Sequence, residues 1–145
     1  MREGNVRTIA IGIVYKDDQI FVAEGFDRVK GSHFYRPLGG TIEFGEYGHE
    51  TVAREFQEEI KATLQDIRYL FTVENIFSLE SKRGHEIAMV YEASFADSTF
   101  YERREIEGID DGNVTFTARW MPLEVFRQNR QEVRLVPEAL QEKLL

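Results

Sequence analysis

The sequence contains no cysteine, three prolines, one tryptophan, and only 18 lysines and arginines against 26 aspartates and glutamates. The absence of cysteine excludes disulfides, thiolate metal ligands and a cysteine nucleophile, and it fits a reducing compartment. The net charge of -8 argues against DNA or RNA as a partner, because polyanion binding depends on a surface rich in lysine and arginine. We therefore expect a cytoplasmic protein that binds no nucleic-acid polymer.

Long hydrophobic runs are also absent. The apolar run Ile9 to Tyr15 is far shorter than the roughly 20 residues that a membrane helix needs. The N-terminal residues 1–5 do not resemble a signal peptide, and no small-residue cleavage site follows them. No repeat or linker divides the 145 residues, so we predict one domain over residues 1–145 without a membrane contact.

Strand and helix patterns follow one another along the chain, which predicts an α/β (α+β) fold with a mixed sheet and helices on both faces. We predict strands at Arg7–Tyr15, Ile20–Ala23, His33–Arg36, Thr41–Phe44, Ile67–Phe77, His85–Phe95 and Val114–Met121. We predict helices from Glu46 to about Ile60, over Pro122–Asn129 and over Pro137–Leu144. The remaining predictions are a flexible corner at Leu38–Gly40, a hairpin turn at Ser81–Gly84 and a loop with a little helix over residues 97–113.

The first predicted helix has one apolar face and one acidic face. Its apolar residues recur every four positions: Val52, Phe56 and Ile60. Its glutamates stand at positions i, i+3 and i+4: Glu55, Glu58 and Glu59. Three carboxylates on one face repel one another mildly in water, whereas a hard divalent cation prefers such oxygen ligands. The face is therefore either solvated surface or a cation site.

The spacing around this helix favours the cation site. Five free positions separate Gly40 from Glu46, and seven more precede Arg54. The continuous run from Arg54 reads Arg-Glu-Phe-Gln-Glu-Glu. This pattern, from Gly40 to Ala62, resembles the Nudix box of the Nudix hydrolase family. Lys61 is the single departure, because it stands where the box has a glycine. That glycine is expected to be a left-handed helix cap, in which lysine costs about 1 kcal/mol, unless the helix continues further.

The resemblance implies a Nudix-like α/β/α sandwich with a mixed central sheet, and a hydrolase that uses Mg²⁺, with Mn²⁺ as a substitute. It implies that Glu58 and Glu59 are the main metal ligands, assisted by Glu55 and the Gly39 carbonyl. Water would attack a phosphorus atom of a nucleoside diphosphate linked to another moiety. Glu55 is the first candidate for the general base, and a downstream loop supplies the other candidates: Glu102, Glu105 and Glu107. Arg54 would orient the carboxylates.

Residues beside the acidic helix have alternative roles. Gly40 lets a backbone approach the substrate closely. Arg36 could bind a phosphate with its guanidinium fork or lie on the surface. Phe26, Phe34 and Tyr35 could stack on a base or belong to the core. Glu46 is expected to stabilise the helix N-terminus. The histidines lack zinc-site spacing and Trp120 is expected in the core.

Two other functional classes remain open at this point. A non-catalytic Nudix-like module that senses a nucleotide would be expected to have lost the box carboxylates, which are present here. A cation-binding structural domain would need neither Gly39–Gly40 nor Arg54. The sequence leaves the identity of the phosphorylated small-molecule substrate open, and it is compatible with a homodimer.

Overall fold

The computed structural model describes residues 4–145, so part of the N-terminal prediction, over residues 1–3, lies outside the described residues. The strands are β1 (Val6–Ile13), β2 (Tyr15–Lys16), β3 (Gln19–Asp27), β4 (Ser32–Arg36), β5 (Leu38–Thr41), β6 (Leu64–Leu79), β7 (Lys82–Phe95), β8 (Glu105–Ile109), β9 (Thr115–Pro122) and β10 (Val133–Leu135). The helices are α1 (Gly48–Ile60), α2 (Leu123–Gln128) and α3 (Ala139–Leu144), with a 3₁₀ turn at Ser98–Tyr101. Within the described part of the chain, no helix has the length and apolar character needed to cross a bilayer.

The strands form two mixed sheets. The first has the order β5-β1-β7-β6, in which β1 runs parallel to β7. The second has the order β10-β4-β3-β9-β8, with β2 beside β3. The predicted strand Arg7–Tyr15 breaks at the buried Val14, so that β1 joins the first sheet and β2 forms the hairpin with β3. The mixed α/β fold is confirmed, with two mixed sheets in place of a single one.

Helices cover both faces of the sheets, as predicted. The apolar stripe of α1 packs with β1 residues that point to one side, such as Ala10, and with Phe21 and Trp120. The opposite faces of the same strands carry Ile9, Ile11 and Val22. These residues pack with α2 and α3 through Leu123, Phe126 and Leu140. Because successive side chains of a strand point to opposite faces, the same strands contribute to two separate hydrophobic cores. Trp120 is a core residue, as expected.

Three local predictions were wrong in whole or in part, and one strand was not predicted. Leu38–Gly40 is not a flexible corner but lies in β5, which pairs with β1. The segment 97–113, predicted as a loop with a little helix, also contains the strand β8. One of the two buried positions of β8 is a glycine, so the strand has only a weak apolar pattern. The β6–β7 turn consists of Glu80 and Ser81, both at positive φ, the geometry of a two-residue hairpin. The short strand β10 is held by its pairing with β4, which local pattern cannot reveal.

A buried carboxylate joins two turns at one edge of the molecule. Asp27 accepts hydrogen bonds from the backbone N–H groups of Val29 (2.9 Å) and Lys30 (3.0 Å), and from that of Glu80 (3.2 Å). These bonds lower the pKa of Asp27, that from Lys30 most. The guanidinium of Arg28 adds an ion pair to Glu80 at 2.7 Å. The β3–β4 turn is therefore fixed against the tip of the β6–β7 hairpin.

Candidate functional site

The three glutamates of the acidic face have very different environments. Glu55 and Glu59 are almost completely buried, with 1% and 6% of their surface exposed. The Glu58 side chain is half exposed. The helix is held in this orientation because its opposite face carries Val52 and Phe56, which are fully buried in the core. The helix begins at Gly48, two residues later than predicted, and the Glu50 carboxylate accepts a hydrogen bond from the Tyr47 N–H at 2.9 Å.

Lys61 ends the helix in the left-handed conformation that the box glycine was expected to adopt, with φ 60° and ψ 32°. Its N–H donates to the Gln57 carbonyl at 3.1 Å, and the Ala62 N–H donates to the Phe56 carbonyl at 3.2 Å. The bond from Lys61 to Gln57 is the one that defines the αL capping motif. The helix therefore does not continue further, and the departure at Lys61 leaves its end geometry intact.

Arg54 is the centre of a network of carboxylates. Its Nε donates to Glu46 Oε2 at 2.8 Å, and its Nη1 donates to Glu55 Oε1 at 2.9 Å and to Glu58 Oε2 at 3.4 Å. Its Nη2 also donates to the Thr41 carbonyl at 3.2 Å. Because one guanidinium donates hydrogen bonds to three carboxylates and a backbone carbonyl, Arg54 fixes α1 relative to β5 and sets the orientation of the Glu55 carboxylate.

Glu46 is held as a carboxylate by its donors. The hydrogen bond from Arg54, followed by that from Thr51, lowers its pKa to about 2. Because this pKa lies below the unfolded value, Glu46 stabilises the fold fully above about pH 4.5 and loses this contribution as the pH falls toward 2.

We therefore expect Glu46→Gln to lower the free energy of unfolding at pH 7 by about 1–3 kcal/mol, the range for hydrogen bonds to charged groups. Denaturant unfolding between pH 7 and pH 3 should show the difference from wild type shrinking below about pH 4.5. The exposed Glu132 provides the control substitution, Glu132→Gln. A difference that stays constant down to pH 3 would contradict this role.

Gly39 and Gly40 allow α1 and β5 to approach closely. A Cβ on Gly40 would lie 2.5 Å from the carboxylate carbon of Glu55. A Cβ on Gly39 would collide with the backbone of Ala10 and Ile11 in β1. The two glycines are therefore required by packing, and Gly40 leaves the space that the Glu55 carboxylate fills.

The buried carboxylates lack partners for some of their oxygens. Within the described residues, Glu55 Oε2 and Glu59 Oε1 are buried and accept no hydrogen bond. Burial raises the pKa of Glu59 to about 8, although the charge of Arg36 opposes the shift. Burial also raises the pKa of Glu55, and the charge of Asp111 adds to this. A hard divalent cation prefers carboxylate oxygens as ligands, and it would satisfy buried oxygens that accept no hydrogen bond. These residues therefore fit Mg²⁺.

A carboxylate from the β8–β9 loop joins the acidic face. Oxygens of Glu55, Glu58 and Asp111 all lie within 4.8 Å of one another, and the charges of Asp110 and Asp111 act on Glu59. Asp111 was not predicted to join the site, because two adjacent aspartates before Gly112 indicate only a turn. The downstream glutamates lie elsewhere: Glu105 pairs with Arg119, Glu107 accepts from Thr117, and Glu102 is exposed at the end of the 3₁₀ turn.

A cavity of about 810 Å³ opens beside this cluster. Its lining includes Gly39, Gly40 and Glu59 together with Arg36 and Phe34. The Arg36 guanidinium lies 5.8 Å from the centre of the Phe116 ring. Because Arg36 lines the same cavity as Glu59, and its charge acts on that carboxylate, Arg36 lies near the acidic cluster. Its predicted contact with a phosphate requires this position.

The other aromatic candidates lie outside this lining. Tyr35 is buried against Phe126, with ring centres 5.7 Å apart, and Phe26 packs against His33 at 4.8 Å. Phe34 is thus the one member of this trio that faces the cavity among the described residues. The described acidic cluster contains no histidine.

Comparison with known proteins agrees with this geometry. The family model of the NUDIX domain matches residues 6–140, whereas no curated protein matches the chain. Among solved structures, the fold is similar to a NUDIX hydrolase from Nitrosomonas europaea (TM-score 0.65, 13% identity, 96% of this chain and 87% of that one). It is also similar to a MutT NUDIX hydrolase from Burkholderia pseudomallei (TM-score 0.60, 20% identity, 83% and 85%). A structure titled ADP compounds hydrolase aligns with a TM-score of 0.63 at 15% identity, over 93% of this chain and 68% of that one. At these identities the structures show the fold alone, and the domain match over nearly the whole chain shows that the protein belongs to the Nudix hydrolase family.

Proposed function

We propose that the chain is a single-domain, Mg²⁺-dependent hydrolase that cleaves a phosphoanhydride bond in a nucleoside diphosphate linked to another moiety. The observation that carries the proposal is the convergence of Glu55, Glu58 and Asp111 within 4.8 Å, beside buried carboxylate oxygens that lack donors in the described chain. Such a cluster opens on a cavity large enough for a nucleotide-sized ligand.

In this proposal, Glu58 and Glu59 are the main ligands of Mg²⁺ or Mn²⁺, with help from Glu55, the Gly39 carbonyl and Asp111. The bound ion would supply charge neutralisation at the phosphate oxygens and activation of the attacking water. Because the carboxylates repel one another without a cation, their close approach supports this assignment.

The chain's own residues would perform the remaining steps. Glu55 takes a proton from the attacking water while the water oxygen forms a bond to phosphorus. The bond between that phosphorus and the bridging oxygen breaks, and the electron pair leaves with the departing phosphate group. Arg36 contacts a phosphate of the substrate, Gly40 admits the substrate close to the backbone, and Arg54 keeps Glu55 oriented.

The alternative is a non-catalytic nucleotide sensor with the same fold. It is less well supported because Glu55, Glu58 and Glu59 are all present, and oxygens of Glu55 and Glu58 lie within 4.8 Å of each other and of Asp111. The proposed substrate is a small phosphorylated molecule derived from a nucleotide. We also propose that the protein acts in the cytoplasm, with no nucleic-acid polymer or membrane as partner, and that a homodimer is compatible with its function.

Removing the metal tests the proposal. Phosphate or nucleotide release is measured from a panel of nucleoside triphosphates, nucleotide sugars, dinucleoside polyphosphates and ADP-ribose, with Mg²⁺ and with EDTA. We expect turnover of at least one class that EDTA abolishes and that added Mg²⁺ or Mn²⁺ restores, because the ion balances the phosphate charge. A panel that stays silent while Mg²⁺ still binds would favour the sensor.

A further inference from the structure

The cavity has a second charged region that the proposed chemistry does not use. Its basic lining residues apart from Arg36 are Arg7, Lys30, Arg83 and Arg134. The acidic residues that line the cavity with them, outside the acidic cluster, are Glu86 and Glu138. Basic side chains thus outnumber acidic ones in this part of the lining, in contrast to the acidic cluster.

Arg134 is the most unusual member of this region. Its side chain is only 20% exposed, yet its one ion pair among residues 4–145 is with the exposed Glu138 at 3.9 Å. Within the described residues it donates no hydrogen bond, and its Nε is buried without a partner. Buried cations are normally paired and hydrogen-bonded. Arg134 thus has the donors of a binding site but no acceptor from the protein.

Arg7 lies in the same region and is held in place by one contact. Its Nη2 donates to Glu86 Oε2 at 3.0 Å, and its buried Nε has no partner in the described chain. Glu86 also accepts from Asn75 at 3.4 Å, which fixes the carboxylate. Asn75 and Arg134 both line the adjoining smaller cavity as well. Both arginines line the main cavity, and Asn75 lines it with them.

Strand register separates this region from the acidic cluster. Gly40, which touches Glu55, pairs with Ala10 of β1. Arg7 precedes Ala10 by three residues on that strand, which corresponds to about 10 Å. On the other wall, Arg134 pairs with Phe34, two residues before Arg36 on β4. The backbone positions of the two regions are therefore two to three residues apart on each wall of the cavity.

We propose that Arg7 and Arg134 form a subsite for a second anionic group of the substrate, a phosphate monoester on the moiety beyond the cleaved diphosphate. The buried Nε atoms of Arg7 and Arg134 have no acceptor within the described residues, and guanidinium forks suit the oxygens of a phosphate monoester, which is anionic near neutral pH. Phe34 and Ile9 also line the cavity and would contact the apolar part of the same molecule. The inference names a substrate class and so rests on the proposed function.

The test is a titration of metal-free protein in EDTA with inorganic phosphate, followed by ¹⁵N NMR of the arginine Nε–H signals. Without a cation, the acidic cluster repels phosphate, and the separate signals of Arg7 and Arg134 distinguish binding at the basic region from binding at Arg36. We expect saturable shifts of the Arg7 and Arg134 signals, and an affinity at least about tenfold weaker in Arg134→Gln, the usual effect of losing one charge-assisted contact. Arg68→Gln is the matched control, because Arg68 is 67% exposed and pairs with Glu92 outside the cavity.

The outcomes separate this inference from the proposed function. Absence of shifts at Arg7 and Arg134, or equal binding by Arg134→Gln and wild type, would overturn the subsite even if the panel is hydrolysed. Phosphate binding at these signals with a silent panel would support the subsite and overturn only the hydrolase. Acetate that shifts the same signals as strongly as phosphate would overturn the phosphate assignment in favour of a carboxylate. The wild-type signals show whether phosphate binds at Arg7 and Arg134 even if a variant does not fold. Arg134→Lys is a second variant, which keeps the positive charge.

Discussion

Replacing Glu58 by glutamine is expected to reduce kcat by about 10³-fold or more on any substrate that the Mg²⁺ panel identifies. Glutamine keeps the size of the side chain but removes the charge that holds the cation. The Glu58 side chain is half exposed, and its contact with Arg54 is long, at 3.4 Å. Loss of the Glu58 charge should therefore change the melting temperature by less than about 2 °C. The measurement is kcat at saturating Mg²⁺ beside a thermal unfolding curve.

The same measurement on Glu132→Gln gives the control, since Glu132 is exposed and lies outside both cavities. That variant should retain wild-type kcat. If Glu58→Gln kept activity within about tenfold of wild type, Glu58 would not be a main metal ligand, and a different carboxylate of the cluster would have to replace it.

Gly39→Ala is expected to have the largest effect on stability. Its Cβ would meet the Ala10 carbonyl oxygen and would lie 2.7 Å from the Ile11 Cα. Both are backbone atoms of β1, so no side-chain rotation relieves the collision, and β5 must move away from its partner strand. We expect a loss of roughly 3 kcal/mol or more in the free energy of unfolding, and a melting temperature lower by about 10 °C.

Gly112→Ala is the matched control for the glycine substitution. Its nearest neighbours, a carboxylate oxygen of Asp110 and a methyl group of Val114, would lie at 3.5 and 4.0 Å, which is ordinary contact. Its melting temperature should stay close to that of wild type. Equal melting temperatures for Gly39→Ala and wild type would show that β5 does not need its close pairing with β1.

The parts of the site that could be predicted from sequence are those that local periodicity determines. Helix α1 repeats its apolar residues every four positions, and the same repeat aligns Glu55, Glu58 and Glu59 on the other face. The left-handed conformation at Lys61 could also be predicted, because the end of a helix imposes it through local hydrogen bonds. These features depend on residues within a few positions of one another.

The parts that could not be predicted depend on pairing between distant segments. Asp111 reaches Glu58 only because β8 and β9 pair and present their connecting loop to α1. Arg134 reaches the cavity because β10 adds to the edge of β4. Neither strand has a strong local pattern, since β8 includes Gly108 and β10 has only three residues. The glutamates of the cluster could therefore be predicted from the helix pattern, whereas Asp111 of the β8–β9 loop could not.

The central claim is that the acidic face of α1 holds a divalent cation. It is tested most directly by anomalous diffraction from crystals soaked in Mn²⁺, with Glu58→Gln crystals treated in the same way. We predict an anomalous peak within coordination distance of the Glu58 and Glu59 carboxylates in wild type, and a strongly reduced peak in the variant. A wild-type peak elsewhere, or no peak at saturating Mn²⁺, would contradict the assignment of this cluster as the metal site.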